Sequence, residues 1–199
     1  QSRVKALVGS NESSWTTFPS TAVTFSINMP VLLGDTTRFA YGIWPYAAHG
    51  SAHTYDGGHP GWDVEYATNT LVRAAGSGSV QSVVTDTNFE GRFTVQLQHS
   101  YRGKTYRTVY TNIASLASGI SQGANVQAGD PIGAPGGYTA FVGSSQITYY
   151  MTHFQFDDFS VSSSLPGVSN LNAVSPEGFL NDAATVLFNT IWSSATYSQ

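Results

Sequence analysis

The chain has 199 residues, enough to bury a sizeable core in one domain, and only 10% of them are charged. A formal net charge of −4 and the lack of any basic run exclude the electrostatic pattern of a nucleic-acid-binding protein or of one held at an anionic membrane surface. There are no cysteines, which excludes disulfides and thiolate metal sites, so any metal must be bound by histidine and carboxylate.

The composition also carries information about location and partners. Ser, Thr, Gly and Tyr are abundant and Lys is scarce, which is typical of a secreted protein, and removal of a signal peptide would leave a start such as Gln1. No apolar run approaches the length of a membrane span. We therefore expect an extracellular monomer with no nucleic-acid and no membrane partner.

The first part of the chain predicts strands around a long loop. Residues 21–28 alternate between apolar and polar side chains, and the aromatic stretch 38–46 predicts another strand. The following segment, 47–58, is rich in Gly, Ser and His and carries His49 and His53. It is too long for a hairpin turn, so we expect a functional loop that faces a site.

The rest of the chain predicts short strands and then a short helix. The predicted strands are separated by glycine-rich turns and cover residues 70–75, 80–85, 92–99, 105–112 and 147–156. Ser175 and Pro176 are typical of a helix start, and residues 183–192 fit either a helix or a strand. The pattern predicts a mainly β, antiparallel fold with a short C-terminal helical segment.

We expect one domain over residues 1–199. In this interpretation residues 1–50 are an N-terminal extension that packs on the core, residues 51–160 form the core, and residues 161–199 form the tail with the short helix.

A candidate metal site begins at His59 and Asp63, which are separated by three residues in the sequence His-Pro-Gly-Trp-Asp. A neutral imidazole and a carboxylate suit a divalent transition metal such as zinc. The tight turn that Pro60 and Gly61 favour would fix the backbone between the two side chains.

A third candidate ligand lies in the last predicted strand. With a period of two residues, Tyr149, Met151 and His153 share one face, whereas Phe154 and Phe156 lie on an apolar face that suits the core. His153 is thus expected on the more polar face of the sheet.

Five motifs follow one another between His59 and Phe156. In chain order they are His59-x-x-x-Asp63, the glycine-containing stretch 69–80, the segment 110–116, the glycine-containing stretch 123–133, and Met151-Thr152-His153-Phe154. In this order they resemble the lysostaphin- and LytM-type zinc metallopeptidases, which cut peptide bonds in bacterial cell walls. The resemblance implies the antiparallel β fold of that family. It also implies one zinc ion bound by His59, Asp63 and His153.

Two positions depart from the family pattern. Asn112 stands where the family has the His of a Tyr-x-His segment, and Met151 stands where it has the first His of His-x-His. In the family these two histidines assist catalysis, and neither Asn nor Met titrates near neutral pH. The candidate replacement helpers are His49 and His53 from the preceding loop, and Tyr149 from the strand face that carries His153.

Three hypotheses about function follow. The chain is a secreted zinc hydrolase with rearranged helpers that acts on a peptide or cell-wall-like polymer, or it is an inactive metal-binding relative that binds such a polymer or a partner. In the third, His49 or His53 completes a closed metal site with different chemistry. Counting the imidazoles around the metal separates an open three-ligand site from a closed one.

Overall fold

The structure is a computed structural model, and it describes residues 3–4, 7–8, 11–12, 16–17, 25–32, 34–41, 60–86, 89–142, 144–161 and 172–194. Thirteen strands lie in these ranges: β1 (Arg3–Val4), β2 (Leu7–Val8), β3 (Asn11–Glu12), β4 (Thr16–Thr17), β5 (Thr36–Tyr41), β6 (Gly61–Tyr66), β7 (Val72–Arg73), β8 (Gly78–Thr85), β9 (Phe93–Tyr101), β10 (Lys104–Leu116), β11 (Asn125–Val126), β12 (Pro131–Val142) and β13 (Ser145–Asp158). A 3₁₀ helix (Pro176–Phe179) and helix α1 (Asp182–Ser194) follow.

One antiparallel sheet of nine strands dominates the described part of the chain. Its order is β11-β8-β9-β10-β12-β13-β6-β5, and β7 pairs with the beginning of β12. The predicted fold class, mainly β and antiparallel with a short C-terminal helical segment, is therefore confirmed. Strands β1 to β4 form two separate two-stranded pairs, β1 with β4 and β2 with β3.

Several predicted elements appear with shifted bounds, and seven strands were not predicted, namely β1 to β4, β6, β11 and β12. Of the strand expected at 38–46, residues 38–41 belong to β5 and residues 42–46 lie outside the described ranges, and the strand expected at 147–156 is the longer β13. Of the strand expected at 21–28, only Ile27 forms a bridge in the described residues, with Leu180. Strand β6 was interpreted only as a ligand motif, and β12 only as turns, because it contains two prolines and three glycines.

Strand β10 changes partners in the middle of the sheet. Its segment 106–111 pairs with β13 at residues 153–158, and from Ile113 onward it pairs with β12. Beyond this point β12 pairs with β13, with Gly136 opposite Met151. Three strands therefore meet around Asn112, Gly136 and Met151, which we call the fork.

The hydrophobic core lies on one face of the sheet and under α1. In β6, Trp62, Val64 and Tyr66 face this core, and the Trp62 ring stacks on Phe188 of α1 at a centroid distance of 5.0 Å. The alternate residues of β6 face the other side of the sheet, yet the whole strand is buried. The polar side chains of β6 on that second face, Asp63 and Glu65, are thus buried.

Helix α1 begins where its sequence supplies a cap. The side-chain oxygen of Asn181 accepts a hydrogen bond from the Ala184 backbone N–H at 2.8 Å, as an N-cap residue does. Residues 183–192, expected as a helix or a strand, are therefore helical. Neither helix in the described ranges combines the length and the hydrophobicity that crossing a membrane requires.

Candidate metal site

Asp63 and His153 form a close pair on the polar face of the sheet. They lie directly opposite each other in neighbouring strands β6 and β13, and Asp63 Oδ1 is 3.0 Å from His153 Nδ1. The Asp63 side chain is buried, and His153 is partly exposed. The face predicted for His153 from the period of two is the one that it occupies.

Gly61 leaves the space that the His153 ring needs. A Cβ at this position would lie 2.9 Å from both His153 Cε1 and Nε2, and closer still to the Phe154 carbonyl oxygen. A larger residue would therefore push the imidazole away from β6, or β6 away from β13. The tight turn expected at Pro60 and Gly61 is not formed at Gly61, which is the first residue of β6 and pairs with Gln155, so this glycine serves the close approach of two strands.

The geometry of the pair fits two ligands of one small cation. Donors bound to zinc at about 2.0–2.2 Å in a tetrahedral site lie about 3.3–3.6 Å apart, slightly more than the separation of Asp63 Oδ1 and His153 Nδ1. The same separation suits a direct hydrogen bond from the imidazole N–H to the carboxylate. No group of three metal-ligating residues occurs within the described ranges. His59 lies outside them, so the third ligand stays a prediction.

Asn112 is built into the fork and does not project from it. Its side chain is fully buried, and its Nδ2 donates to the Met151 carbonyl at 2.8 Å and to the Gly136 carbonyl at 3.3 Å. Its backbone N–H donates to Asp86 Oδ2 at 2.8 Å. A φ of 59° places it in the left-handed region, which Asn tolerates better than most residues. The amide is therefore held by the strands and is not available as a mobile donor.

Met151 lies between two residues that the sequence analysis did not single out. It is half-buried on the face of His153, opposite Glu65 in β6 and Gly136 in β12. Glu65 is buried, and its Oε1 accepts a hydrogen bond from the Tyr138 hydroxyl at 3.0 Å. The period of β6 could have revealed Glu65, since it follows Asp63 by two residues and must share its face.

The replacement helpers are not brought to the metal pair in the described part of the chain. Tyr149 stacks on Tyr138 at a centroid distance of 5.4 Å, and it precedes His153 by four residues, roughly 13 Å along the strand. His49 and His53 lie outside the described residues, and their roles stay predictions.

Arg92 reaches the fork from the turn before β9. Its Nη2 donates to the Gly137 carbonyl at 3.0 Å, and its Nη1 lies against Gly136. The ion pairs found among the described residues are Arg107–Asp157 and His153–Asp63, so no carboxylate in these ranges forms a direct ion pair with Arg92. Nothing in the sequence indicates this position, because the side chain crosses β10 to reach β12.

His99, the remaining histidine in the described ranges, belongs to the core. Its Nδ1 is 2.9 Å from the Ser77 carbonyl oxygen, so that nitrogen must donate, and its Nε2 is 2.9 Å from the Thr108 hydroxyl, which donates to it. Burial lowers the pKa of His99, which keeps the ring neutral. It is a structural residue far from the metal pair.

Several solved structures of other proteins are similar to this chain. Csd3 from Helicobacter pylori is 19% identical, with a TM-score of 0.52 over 83% of this chain and 40% of the Csd3 chain. A zinc-containing peptidase from Vibrio cholerae is 19% identical over 67% of this chain and 37% of its own, with a TM-score of 0.49. Lysostaphin from Staphylococcus simulans is 20% identical over 81% and 53%, with a TM-score of 0.43.

The chain thus spans about two fifths of the length of Csd3. A search of curated protein sequences gave no match. The profile of Peptidase family M23 matches residues 57–158, which is just over half of the chain and includes every motif that carries the resemblance. The chain therefore belongs to Peptidase family M23 and has the fold of the lysostaphin- and LytM-type peptidases.

Proposed function

We propose that this chain is a secreted zinc-binding hydrolase that acts on a peptide or cell-wall-like polymer, with residues 51–160 as its core within one domain. The observation that supports the proposal is the approach of Asp63 Oδ1 to His153 Nδ1, at 3.0 Å and across two paired strands. Together with His59, they would hold one zinc ion and leave a fourth position open.

When bound, zinc would supply a Lewis acid that polarises the substrate carbonyl and lowers the pKa of a bound water. The chain's own residues hold the two donors in a fixed place, since both strands are paired on either side. Met151 cannot move a proton, and the Asn112 amide is engaged by two backbone carbonyls. A positioned general acid or base contributes on the order of 10²- to 10⁴-fold, so we expect slow hydrolysis unless His49 or His53 supplies that group.

Metal content tests the proposal directly. After dialysis, the wild-type protein should retain one equivalent of zinc, whereas His153→Ala and Asp63→Asn should not. Asp182→Asn is the matched control, because it removes an exposed carboxylate at the start of α1. A full equivalent of metal in both site variants would contradict the assignment.

A second candidate is an inactive relative that binds a polymer or partner through the same face. It is favoured by the state of Asn112, which is buried and hydrogen-bonded within the fork at the position of a family helper. Incubation with glycine-rich peptides and with insoluble cell-wall material separates the two candidates. Hydrolysis supports the first, and sedimentation with the wall material without hydrolysis supports the second.

The closed-site alternative, in which His49 or His53 also binds the metal, has a spectroscopic test. X-ray absorption of the zinc-loaded protein counts the imidazole ligands. Two indicate the open site, and three indicate the closed one.

A further inference from the structure

We propose that Arg92 binds the negatively charged oxygen that forms on the substrate carbonyl during hydrolysis. This inference rests on the proposed hydrolase function. It concerns a residue that belongs to neither the metal-binding set nor the two family helper positions.

The register of the sheet places Arg92 on the correct face. Gly136 and Met151 are direct partners, so a side chain at Gly136 would point to the same face as Met151 and therefore as His153, two residues on. The position of that missing Cβ is filled by Arg92 Nη1 and Asn112 Oδ1. The guanidinium is thus on the face of the metal pair, within roughly 8 Å of His153 judged by strand spacing.

The charge of Arg92 is available to a ligand. Its hydrogen bond from Nη2 goes to the neutral Gly137 carbonyl, and no carboxylate in the described ranges pairs with it. Arg92 is partly exposed, so part of this residue can meet solvent or substrate. Buried Asn112 Oδ1 has no hydrogen-bond partner among the described atoms and lies beside Nη1, which favours a cation at this point.

The step assigned to Arg92 is electrostatic. Water adds to the carbonyl carbon, and the π electron pair moves to the carbonyl oxygen, which becomes the oxyanion. When the C–N bond breaks, that pair forms the carbonyl again, and the amine nitrogen takes up the proton that the water gave. Arg92 neither gives nor takes a proton; it donates hydrogen bonds to the oxyanion while the charge exists.

The test uses zinc-loaded protein and a glycine-rich peptide in which a phosphinate replaces one peptide bond, as a stable tetrahedral anion. Calorimetry gives its Kd for wild type, Arg92→Gln and Arg92→Lys, beside the Kd of the unmodified peptide. Arg102→Gln is the control, because it removes the same charge from an exposed turn at the far end of β9. We expect Arg92→Gln to weaken phosphinate binding by on the order of 10- to 100-fold, Arg92→Lys to weaken it less, and neither to change binding of the neutral peptide or the zinc content.

Added guanidinium ion should restore part of the hydrolysis in Arg92→Gly, which a merely structural role would not produce. Unchanged phosphinate affinity in Arg92→Gln, beside a wild type that binds zinc and phosphinate, overturns this inference and leaves the proposed function intact. Equal losses for phosphinate and neutral peptide also overturn it, since they indicate a structural role. A wild type that binds no zinc overturns the proposed function, and the inference with it.

Discussion

Replacement of Asn112 tests whether this residue is a structural part of the fork. Asn112→Ala removes the Nδ2 donor from the carbonyls of Met151 and Gly136 and leaves a Cβ residue at a φ of 59°. Asn112→Gly removes the same donor but accepts that backbone conformation without strain. The two variants therefore separate the contribution of the hydrogen bonds from that of the strained backbone conformation.

The magnitude follows from these two contributions. Each of the two carbonyls that loses its donor costs about 1 kcal/mol, toward the low end of the range for buried polar groups. The left-handed conformation costs most residues with a Cβ about 1–2 kcal/mol relative to glycine, and Asn bears part of this cost in the wild type. We expect Asn112→Ala to lower the free energy of unfolding by about 2–3 kcal/mol, and Asn112→Gly, which relieves the strain, by about 1–2 kcal/mol. Asn112→His should also be destabilised, because a neutral imidazole has one N–H for two carbonyls.

Urea unfolding followed by tryptophan fluorescence gives these free energies by linear extrapolation. Asn125→Ala, at an exposed position in β11, is the control and should change stability by no more than about 0.5 kcal/mol. The reasoning about the buried amide is refuted if Asn112→Ala costs less than 1 kcal/mol. The reasoning about backbone strain is refuted if the Gly and Ala variants are equally unstable.

Three further predictions concern the metal, Met151 and His99. Free metal at 100 times its Kd should stabilise the fold by about 2.7 kcal/mol, so a chelator should lower the Tm. An unchanged Tm after confirmed metal removal would contradict a metal site formed by the folded chain. Met151→His places an imidazole on the face of His153 and should raise hydrolysis of glycine-rich peptides above that of Met151→Leu, at equal zinc content; equal rates would show that the fork cannot use a helper there. Because burial lowers the pKa of His99, this imidazole is protonated in the unfolded chain at a higher pH, about 6.5, than in the folded chain. The stability that neutral His99 contributes is complete above that pH and is lost as the pH falls through the lowered pKa. Wild type should therefore lose more stability than His99→Gln between pH 7.5 and 5, as measured by urea unfolding.

Periodicity predicted a large part of the fold and one side of the site. The period of two in β13 placed His153 on the polar face and Phe154 and Phe156 in the core, because one face of that strand packs on apolar groups. Strand β12 could not be predicted in the same way. It contains Pro131, Pro135 and three glycines, which are rare in central strands, and only its neighbours make it a strand.

The side-chain contacts within the fork were less predictable than the positions of Asn112 and Met151 in the sequence. The motif order indicated Asn112 and Met151 as the unusual positions, but it gave no information on the contacts of the Asn112 side chain. The Asn112 amide is bound to two carbonyls that belong to strands 24 and 39 residues further on. Sequence patterns do not indicate Arg92 for the same reason, since the contacts of its side chain depend on which strands become neighbours.

The pairing of β6 with β13 also has a kinetic consequence. Asp63 and His153 are 90 residues apart in the chain, so their two donor atoms meet only after this long-range pairing has formed. Closing so long a loop carries an entropy cost that only later contacts repay. Metal bound to the pair would therefore stabilise the native state more than the folding transition state. It should lengthen the lifetime of the folded protein and leave the rate of folding almost unchanged.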